Sequence, residues 1–142
     1  SDPDRIQQVL INLLSNSIKY SPQKSKIVIS VLTKSRNLIE ISVSDQGIGI
    51  KEEDQSVLFT EFGRILDKKN LSRNANGVGL GLWICKQICE QLGTGIEVSS
   101  KSGEGSTFRF TIRTSLFADK DESFASINQR KGSSASDELT TR

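Results

Sequence analysis

Apolar residues at helical spacing open the chain and predict an amphipathic helix over residues 3–20. Asp2 supplies an N-cap, Pro3 suits the first helical position, and Ser21-Pro22 ends the pattern. The apolar positions of this helix are Ile6, Val9, Leu10, Leu13 and Leu14. One side of the helix is therefore expected to face a hydrophobic core.

Four β-rich runs and a second helix complete the predicted elements. KIVISVLT and NLIEISVSD, separated by KSRN, predict a hairpin, and GIEVSS and STFRFTI predict two strands after a helix over 79–92. Residues 51–76 are polar, charged and Asn-rich, which predicts a long loop with a short helix, and loops of this length are usually functional. This order predicts an α+β fold, a two-layer α/β sandwich in which helices cover one face of a mixed sheet.

The composition is that of an ordinary globular domain. The 142 residues are 35% hydrophobic with a formal net charge of +2, which predicts no nucleic-acid partner and no membrane insertion by this chain. No apolar run approaches the ~20 residues of a membrane span, and no signal peptide opens the chain. Because methionine is absent, we expect a domain of a longer or processed protein, ordered over 1–116 and followed by a polar, disordered tail or linker over 117–142.

The two cysteines, Cys85 and Cys89, lie four residues apart in an apolar helical stretch, and the chain contains no histidine. A metal site built from these two residues alone is disfavoured, so we expect buried free thiols. Unpaired thiols favour a reducing compartment. We therefore expect a cytoplasmic location, in a parent protein that could itself be anchored to a membrane.

Five polar residues of the first helix fall within an arc of roughly 80° beside the apolar stripe: Arg5, Gln8, Asn12, Asn16 and Lys19. A solvated face is the simpler interpretation of such an arc. Amide oxygens, however, are hard neutral ligands that suit Mg²⁺ bound to a polyphosphate, and a lysine one turn along would attract the same anion. The pattern alone leaves both interpretations open.

The segment SVSDQGIGI places a carboxylate where apolar side chains are expected. Asp45 shares the strand face of the preceding isoleucines and valine, so it requires a hydrogen-bond donor. Gly47 and Gly49 permit positive φ and close backbone approach. An exocyclic amine such as adenine N6 would be a fitting donor, with Ile48 and Ile50 flanking the ring. A turn in which the acid bonds local backbone amides is the alternative.

Alternating glycines precede the second helix in NGVGLGLWICKQI. Gly77, Gly79 and Gly81 are costly for helix stability but expose backbone N–H groups and the positive helix end to an anion. The spacing matches neither the P-loop nor the dinucleotide-binding fingerprint, and it favours phosphate binding over a purely structural turn. The later SGEGSTFRF is by itself explained by a hairpin turn, with Thr107 opposite in parity to the phenylalanines.

Taken in order, these motifs resemble the Bergerat-type ATP-binding domain of the family that contains gyrase B, heat-shock chaperones, histidine kinases and mismatch-repair MutL. DRIQQVLINLLSNSIKYSP resembles the asparagine box of sensor histidine kinases, and LFTEFGRI, with Phe59, Phe62 and Arg64, resembles their phenylalanine box. The resemblance covers residues 1 to about 114. Trp83 stands where alanine or tyrosine is commoner, which affects helix packing more than nucleotide contact.

The resemblance implies a role for each motif. Asn16 would coordinate Mg²⁺ between the phosphates, Asn12 would support the same site, and Lys19 would contact a phosphate, so these three would serve catalysis. Tyr20 would lie close to the nucleotide. Asp45 would accept a hydrogen bond from the adenine amine.

The remaining implied contacts surround the base and the phosphates. Gly47 and Gly49 would let the base pack closely, Thr107 would join the water network around the acid, and residues 51–76 would form the ATP lid. The other nucleotide-binding residues implied by the resemblance are Ile50, Phe59, Phe62, Arg64, Gly77, Val78, Gly79, Leu80, Gly81 and Leu82.

The implied function is that of the catalytic ATP-binding domain of a two-component sensor histidine kinase. Such a domain delivers the γ-phosphoryl group of Mg-ATP to a histidine on a separate dimerisation domain, which then serves a response regulator or receiver domain. Because this chain has no histidine, it would be incomplete as an enzyme without that domain. The alternatives are a serine kinase or ATPase of the same fold, or a non-catalytic nucleotide-binding regulatory module.

Overall fold

The computed structural model describes residues 2–61, 63 and 79–114. The predicted site residues Phe62, Arg64, Gly77 and Val78 lie outside them, as do the predicted tail and most of the predicted lid. The described elements are α1 (Pro3–Tyr20), β1 (Ile27–Ser35), β2 (Leu38–Asp45), α2 (Glu52–Gln55), α3 (Gly81–Gln91), β3 (Ile96–Lys101) and β4 (Gly105–Arg113).

The sheet has the strand order β1-β2-β4-β3 within the described part of the chain. The α+β sandwich is confirmed, but the expected mixed sheet is wrong for these strands, because every described pairing is antiparallel. The physical reason is that β1–β2 and β3–β4 are both hairpins, and the two hairpins meet through an antiparallel β2–β4 pairing. That pairing runs from Leu38 opposite Arg113 to Asp45 opposite Ser106.

The core lies between one face of the sheet and the helices α1 and α3. Residues of like parity on β2 and β4 point into it, with Ile41 opposite Phe110 and Val43 opposite Phe108. The helices contribute the remaining buried side chains of this cluster, which are Val9, Leu13, Cys85, Ile88 and Cys89. Burial of these positions explains the apolar spacing found in the two predicted helices.

The first helix begins and ends where the sequence predicts. The Asp2 carboxylate accepts hydrogen bonds from Asp4 N at 3.1 Å and Arg5 N at 3.4 Å, which satisfies two backbone donors of the first turn. At the other end Ser21 is extended, as the residue before a proline prefers to be. Both ends of α1 are therefore fixed by local chemistry.

Strand β1 forms an edge of the sheet and stays largely outside the core. Val28, Ile29, Val31 and Leu32 are 49–67% exposed, although the β-rich pattern predicts a strand correctly. The apolar face of α1 instead covers β2 and β4. None of the described helices has the length and apolar character needed to cross a bilayer.

The two cysteines are buried free thiols, as predicted. Loss of solvent on burial raises the pKa of Cys85 to about 12 and that of Cys89 to about 11. Both thiols therefore stay protonated at neutral pH, and neither is an activated nucleophile.

The buried thiols predict a loss of stability at alkaline pH. Because the pKa of each thiol is higher in the folded state than its ordinary value of 9.0, only the unfolded chain releases these protons between pH 9 and about 11 to 12. We expect the free energy of unfolding, measured by urea titration, to fall over this range. The free energy of unfolding of a Cys85→Val/Cys89→Val variant should fall less steeply with pH, since its other titrating groups are unchanged. Parallel curves for the two proteins would contradict the assignment.

Candidate functional site

The carboxylate of Asp45 lies partly buried at the end of β2, on the face that the core residues share. Its Oδ1 accepts hydrogen bonds from Gly47 N at 2.9 Å and Ser106 N at 3.3 Å, and its Oδ2 accepts one from Ser17 Oγ at 3.3 Å. These donors come from the following loop, from β4 and from α1. A carboxylate has about four acceptor positions, so Oδ2 keeps capacity for a donor from outside the chain.

The loop after Asp45 requires glycine because other backbone runs against it. A Cβ at Gly47 would lie 2.7 Å from the Tyr20 carbonyl oxygen. Gly49 has a φ of +68°, and a Cβ there would overlap the Lys101 carbonyl oxygen. Backbone hydrogen bonds fix the same loop on both sides, from Ile48 N to Tyr20 O at 3.2 Å and from Gly103 N to Ile48 O at 2.7 Å.

Thr107, which the resemblance places in a water network around Asp45, makes no direct hydrogen bond to that carboxylate in the described residues. Thr107 pairs with Ser44, and the two hydroxyl oxygens lie 2.8 Å apart on the face of the sheet away from the helices. The residue opposite Asp45 is Ser106, which is buried and donates its backbone N–H to the carboxylate. The reason is strand alternation, since Ser106 shares the parity of Phe108 and Thr107 does not.

Asn12, Asn16 and Lys19 follow one side of α1, as the helical spacing predicts. The side chain of Asn12 interacts with the thiol of Cys85 and partly offsets the rise of its pKa, and a Cβ at Gly81 would lie 3.7 Å from Asn12 Oδ1. This side of α1 therefore meets the beginning of α3. The ammonium of Lys19 lies 5.3 Å from the centre of the neighbouring Tyr20 ring.

The N-terminus of α3 has no side-chain cap. Leu80 is the N-cap residue, and its side chain makes no capping hydrogen bond. Gly79 has a φ of +77°, which is incompatible with an α-helix and explains why α3 begins at Gly81 rather than at residue 79. The first N–H groups of α3 and the positive end of its dipole are therefore suited to an anion beside Asn12.

Three other predicted site residues pack against the core. Phe59 meets Phe108 edge to face, with ring centres 6.3 Å apart, while Ile50 and Leu82 contact the same cluster. The short helix α2 precedes Phe59, which confirms the predicted helix in this part of the loop. Phe59 therefore anchors the described start of the predicted lid on the hydrophobic core.

One helix joins the two ends of this arrangement. Ser17 contacts Asp45 and Asn12 contacts α3, and their separation of five positions corresponds to about 7.5 Å along α1. One end offers a carboxylate beside a glycine loop, and the other offers neutral amides beside a helix N-terminus. In the described residues, no three His, Cys, Asp or Glu side chains could hold a metal ion together. A divalent ion would depend on amide oxygens and on ligand oxygens instead.

Sequence reasoning missed four residues of this region: Ser17, Gln55, Ser100 and Ser106. Ser17 was detectable, because it continues the buried helical positions of Val9 and Leu13 with a small polar side chain. Ser106 was also detectable from parity. Ser100 and Gln55 are held by contacts across the sheet that no local pattern reveals.

Comparison with known proteins identifies relatives that align with almost four fifths of the chain. The chain is 42% identical over 114 residues to the adaptive-response sensory kinase SasA of Synechococcus elongatus, covering 79% of this chain and 28% of that protein. It is 39% identical over 112 residues to the sensor histidine kinase WalK of Bacillus subtilis, covering 78% and 18%. The chain thus spans less than a third of the length of these relatives.

A solved structure and a family model agree with these relatives. The catalytic domain of the histidine kinase ThkA superposes with a TM-score of 0.65 at 32% identity, covering 80% of this chain and 68% of that one. The family model for histidine kinase-, DNA gyrase B- and HSP90-like ATPases matches residues 1–116. The chain therefore belongs to this ATPase family.

Proposed function

We propose that this chain is the ATP-binding catalytic domain of a two-component sensor histidine kinase. The observation that carries the proposal is the placement, along one helix, of a carboxylate with spare acceptor capacity and of amides beside an uncapped helix N-terminus. The carboxylate suits the amine of adenine, and the amides with the helix N-terminus suit a metal-bound triphosphate. The named relatives are sensor kinases, which supports the same assignment.

At the adenine end, the chain provides recognition through Asp45. The three donors that bond the carboxylate orient it. Its Oδ2 accepts a hydrogen bond from the exocyclic amine of the base. Gly47 and Gly49 keep side chains out of the loop, so the base can approach the backbone. Guanine carries a carbonyl oxygen at the position of the amine, which would face the carboxylate without a proton, so the site discriminates against it.

At the phosphate end, the chain provides neutral and positive groups. The Asn16 amide, which makes no hydrogen bond within the described residues, would bind Mg²⁺ through its oxygen, and Asn12 would support the same site. Mg²⁺ held there would supply charge neutralisation for the phosphates and polarisation of the transferred group. Lys19 and the first N–H groups of α3, which no side chain caps, would bind phosphate oxygens.

The phosphoryl acceptor must come from elsewhere. The chain contains no histidine, so the nucleophile lies on a dimerisation domain of the parent protein, from which the phosphoryl group passes to a response regulator or receiver domain. This chain contributes mainly positioning and charge stabilisation, which account for most of the catalysis of phosphoryl transfer. Two reduced thiols favour a cytoplasmic location, whether or not the parent protein is anchored to a membrane.

The acids of the first helix do not favour a hydrolytic ATPase. Asp2 is occupied as the cap of α1, and Asp4 is exposed in the first turn. Both lie more than one turn before Asn12, so within α1 no carboxylate shares the polar arc with the amides. Activation of water would need a base from another segment.

The first prediction concerns magnesium. We expect the domain to bind ATP more tightly with Mg²⁺ than with EDTA in calorimetry, and Asn16→Ala to lose this difference, with affinity for Mg-ATP lower by about tenfold. Gln7→Ala, which removes an exposed amide from the opposite side of α1, is the matched control and should bind as the parent does. If the parent and Asn16→Ala showed the same difference in ATP affinity between Mg²⁺ and EDTA, Asn16 would not be a metal ligand.

The second prediction concerns the base. In Asp45→Asn the amide oxygen can keep the bonds from Gly47 N and Ser106 N, while the amide nitrogen replaces the acceptor available to adenine. We expect the ratio of ATP to GTP affinity to fall by about tenfold with little change in melting temperature. Asp4→Asn is the control for loss of a charge. An unchanged ratio in Asp45→Asn would show that this carboxylate does not read the base.

A further inference from the structure

The hydroxyl of Ser100, on β3, makes three hydrogen bonds beside the proposed adenine end. Its oxygen lies 2.8 Å from Ile50 N, 2.8 Å from the Gly105 carbonyl oxygen and 2.8 Å from Ser106 Oγ. Ser100 stands directly opposite Ser106 in the β3–β4 hairpin, and Ser106 stands opposite Asp45. One side chain thus bonds the loop that follows Asp45 and the strand that carries one of its donors.

The direction of each bond follows from counting protons. The Gly105 carbonyl can only accept, so Ser100 gives it the single hydroxyl proton. The Ile50 N–H can only donate, so the Ser100 oxygen accepts from it. With its proton committed, Ser100 must also accept from Ser106, and the Ser106 hydroxyl is therefore the donor of that bond. A carbonyl, two hydroxyls and one backbone N–H therefore form one hydrogen-bond network in which every donor is assigned.

Gln55, the last residue of α2, holds the same segment from the other side. Its Nε2 donates to the Ile50 carbonyl oxygen at 3.2 Å and to the Ser100 carbonyl oxygen at 3.0 Å. Both polar backbone groups of Ile50 are thus satisfied, one by Ser100 and one by Gln55. The end of the glycine loop is therefore bonded to Ser100 directly and through Gln55, so the position of Ser100 restrains the loop beside Asp45.

We infer that Ser100 is a positioning residue for recognition of the adenine amine. It does not touch the carboxylate itself. It bonds the loop through Ile50 and the start of β4 through Gly105 and Ser106, and this loop and this strand carry the backbone donors that aim the carboxylate of Asp45. This inference rests on the proposed function, and it assigns base specificity partly to a strand that carries none of the predicted site residues.

The test compares two nucleotides that differ at one group. Purine riboside triphosphate lacks the 6-amino group of ATP, so its binding does not depend on the aim of Asp45. In calorimetry with Mg²⁺, Ser100→Ala should weaken the binding of ATP about five- to tenfold. It should weaken the binding of purine riboside triphosphate less than about twofold. Ser100→Thr keeps the hydroxyl and should restore most of the preference. Ser99→Ala, on the exposed neighbouring position, is the matched control.

A second variant removes the bond between the two hydroxyls by changing β4 instead of β3. Ser106→Ala removes the donor to Ser100 but keeps the backbone N–H that bonds Asp45, so it should also lose affinity selectively for ATP. Because the two hydroxyls act through one bond, the effects of Ser100→Ala and Ser106→Ala should be less than additive in the double variant. If Ser100→Ala does not fold, as judged by circular dichroism, Ser106→Ala provides the selectivity measurement.

The outcomes separate the two proposals. A parent chain that prefers ATP to purine riboside triphosphate, with the same preference retained in Ser100→Ala and Ser106→Ala, overturns the role of Ser100 and leaves the proposed function intact. Equal losses for both nucleotides also overturn it, because they indicate a general effect on the hairpin. A parent chain that binds neither nucleotide overturns the proposed function and this inference together.

Discussion

The structure depends on how one carboxylate is satisfied. Asp45 continues a strand face that is otherwise apolar, where an acid without donors would be strongly destabilising. Its oxygens are reached by α1, by the loop after β2 and by β4, so these three elements have to meet at one point. The same requirement restricts the backbone, because a Cβ at Gly47 would lie 2.8 Å from Asp45 Oδ1 and one at Gly105 would overlap its carbonyl oxygen.

Around this point, α1 is both a structural and a functional element. Its apolar positions Val9 and Leu13 are fully buried, and its polar side reaches α3 through Asn12. Ser17 belongs to the buried side by position, yet it supplies a donor to Asp45. Core packing and the geometry of the proposed ligand site therefore share one rigid helix, so changes that stabilise the core also bear on the site.

Local rules predicted most of the fold and part of the site. The bounds of α1 followed from the Asp2 cap and the proline after Ser21, and strand parity predicted that Asp45 faces the core side. The missing parts depend on contacts between distant segments. The exposure of β1 and the antiparallel pairing of the described strands depend on how two hairpins meet, while the bond between Ser100 and Ile50 joins residues 50 positions apart in sequence. The position of Thr107 on the other face of the sheet from Asp45, in contrast, followed from strand parity alone.

The placement of Ser17 and Asn12 on one continuous helix constrains how the chain can vary in length. Adding or deleting one residue between them would turn one contact about 100° away from its partner while the other stayed in place. No compensating change of side chain could restore both, since the mismatch lies in the phase of the helix. The turn between β1 and β2 is under no such constraint, because it touches neither end of the site. Length variation among related chains should therefore be absent from residues 12–17 and tolerated at the tip of that hairpin.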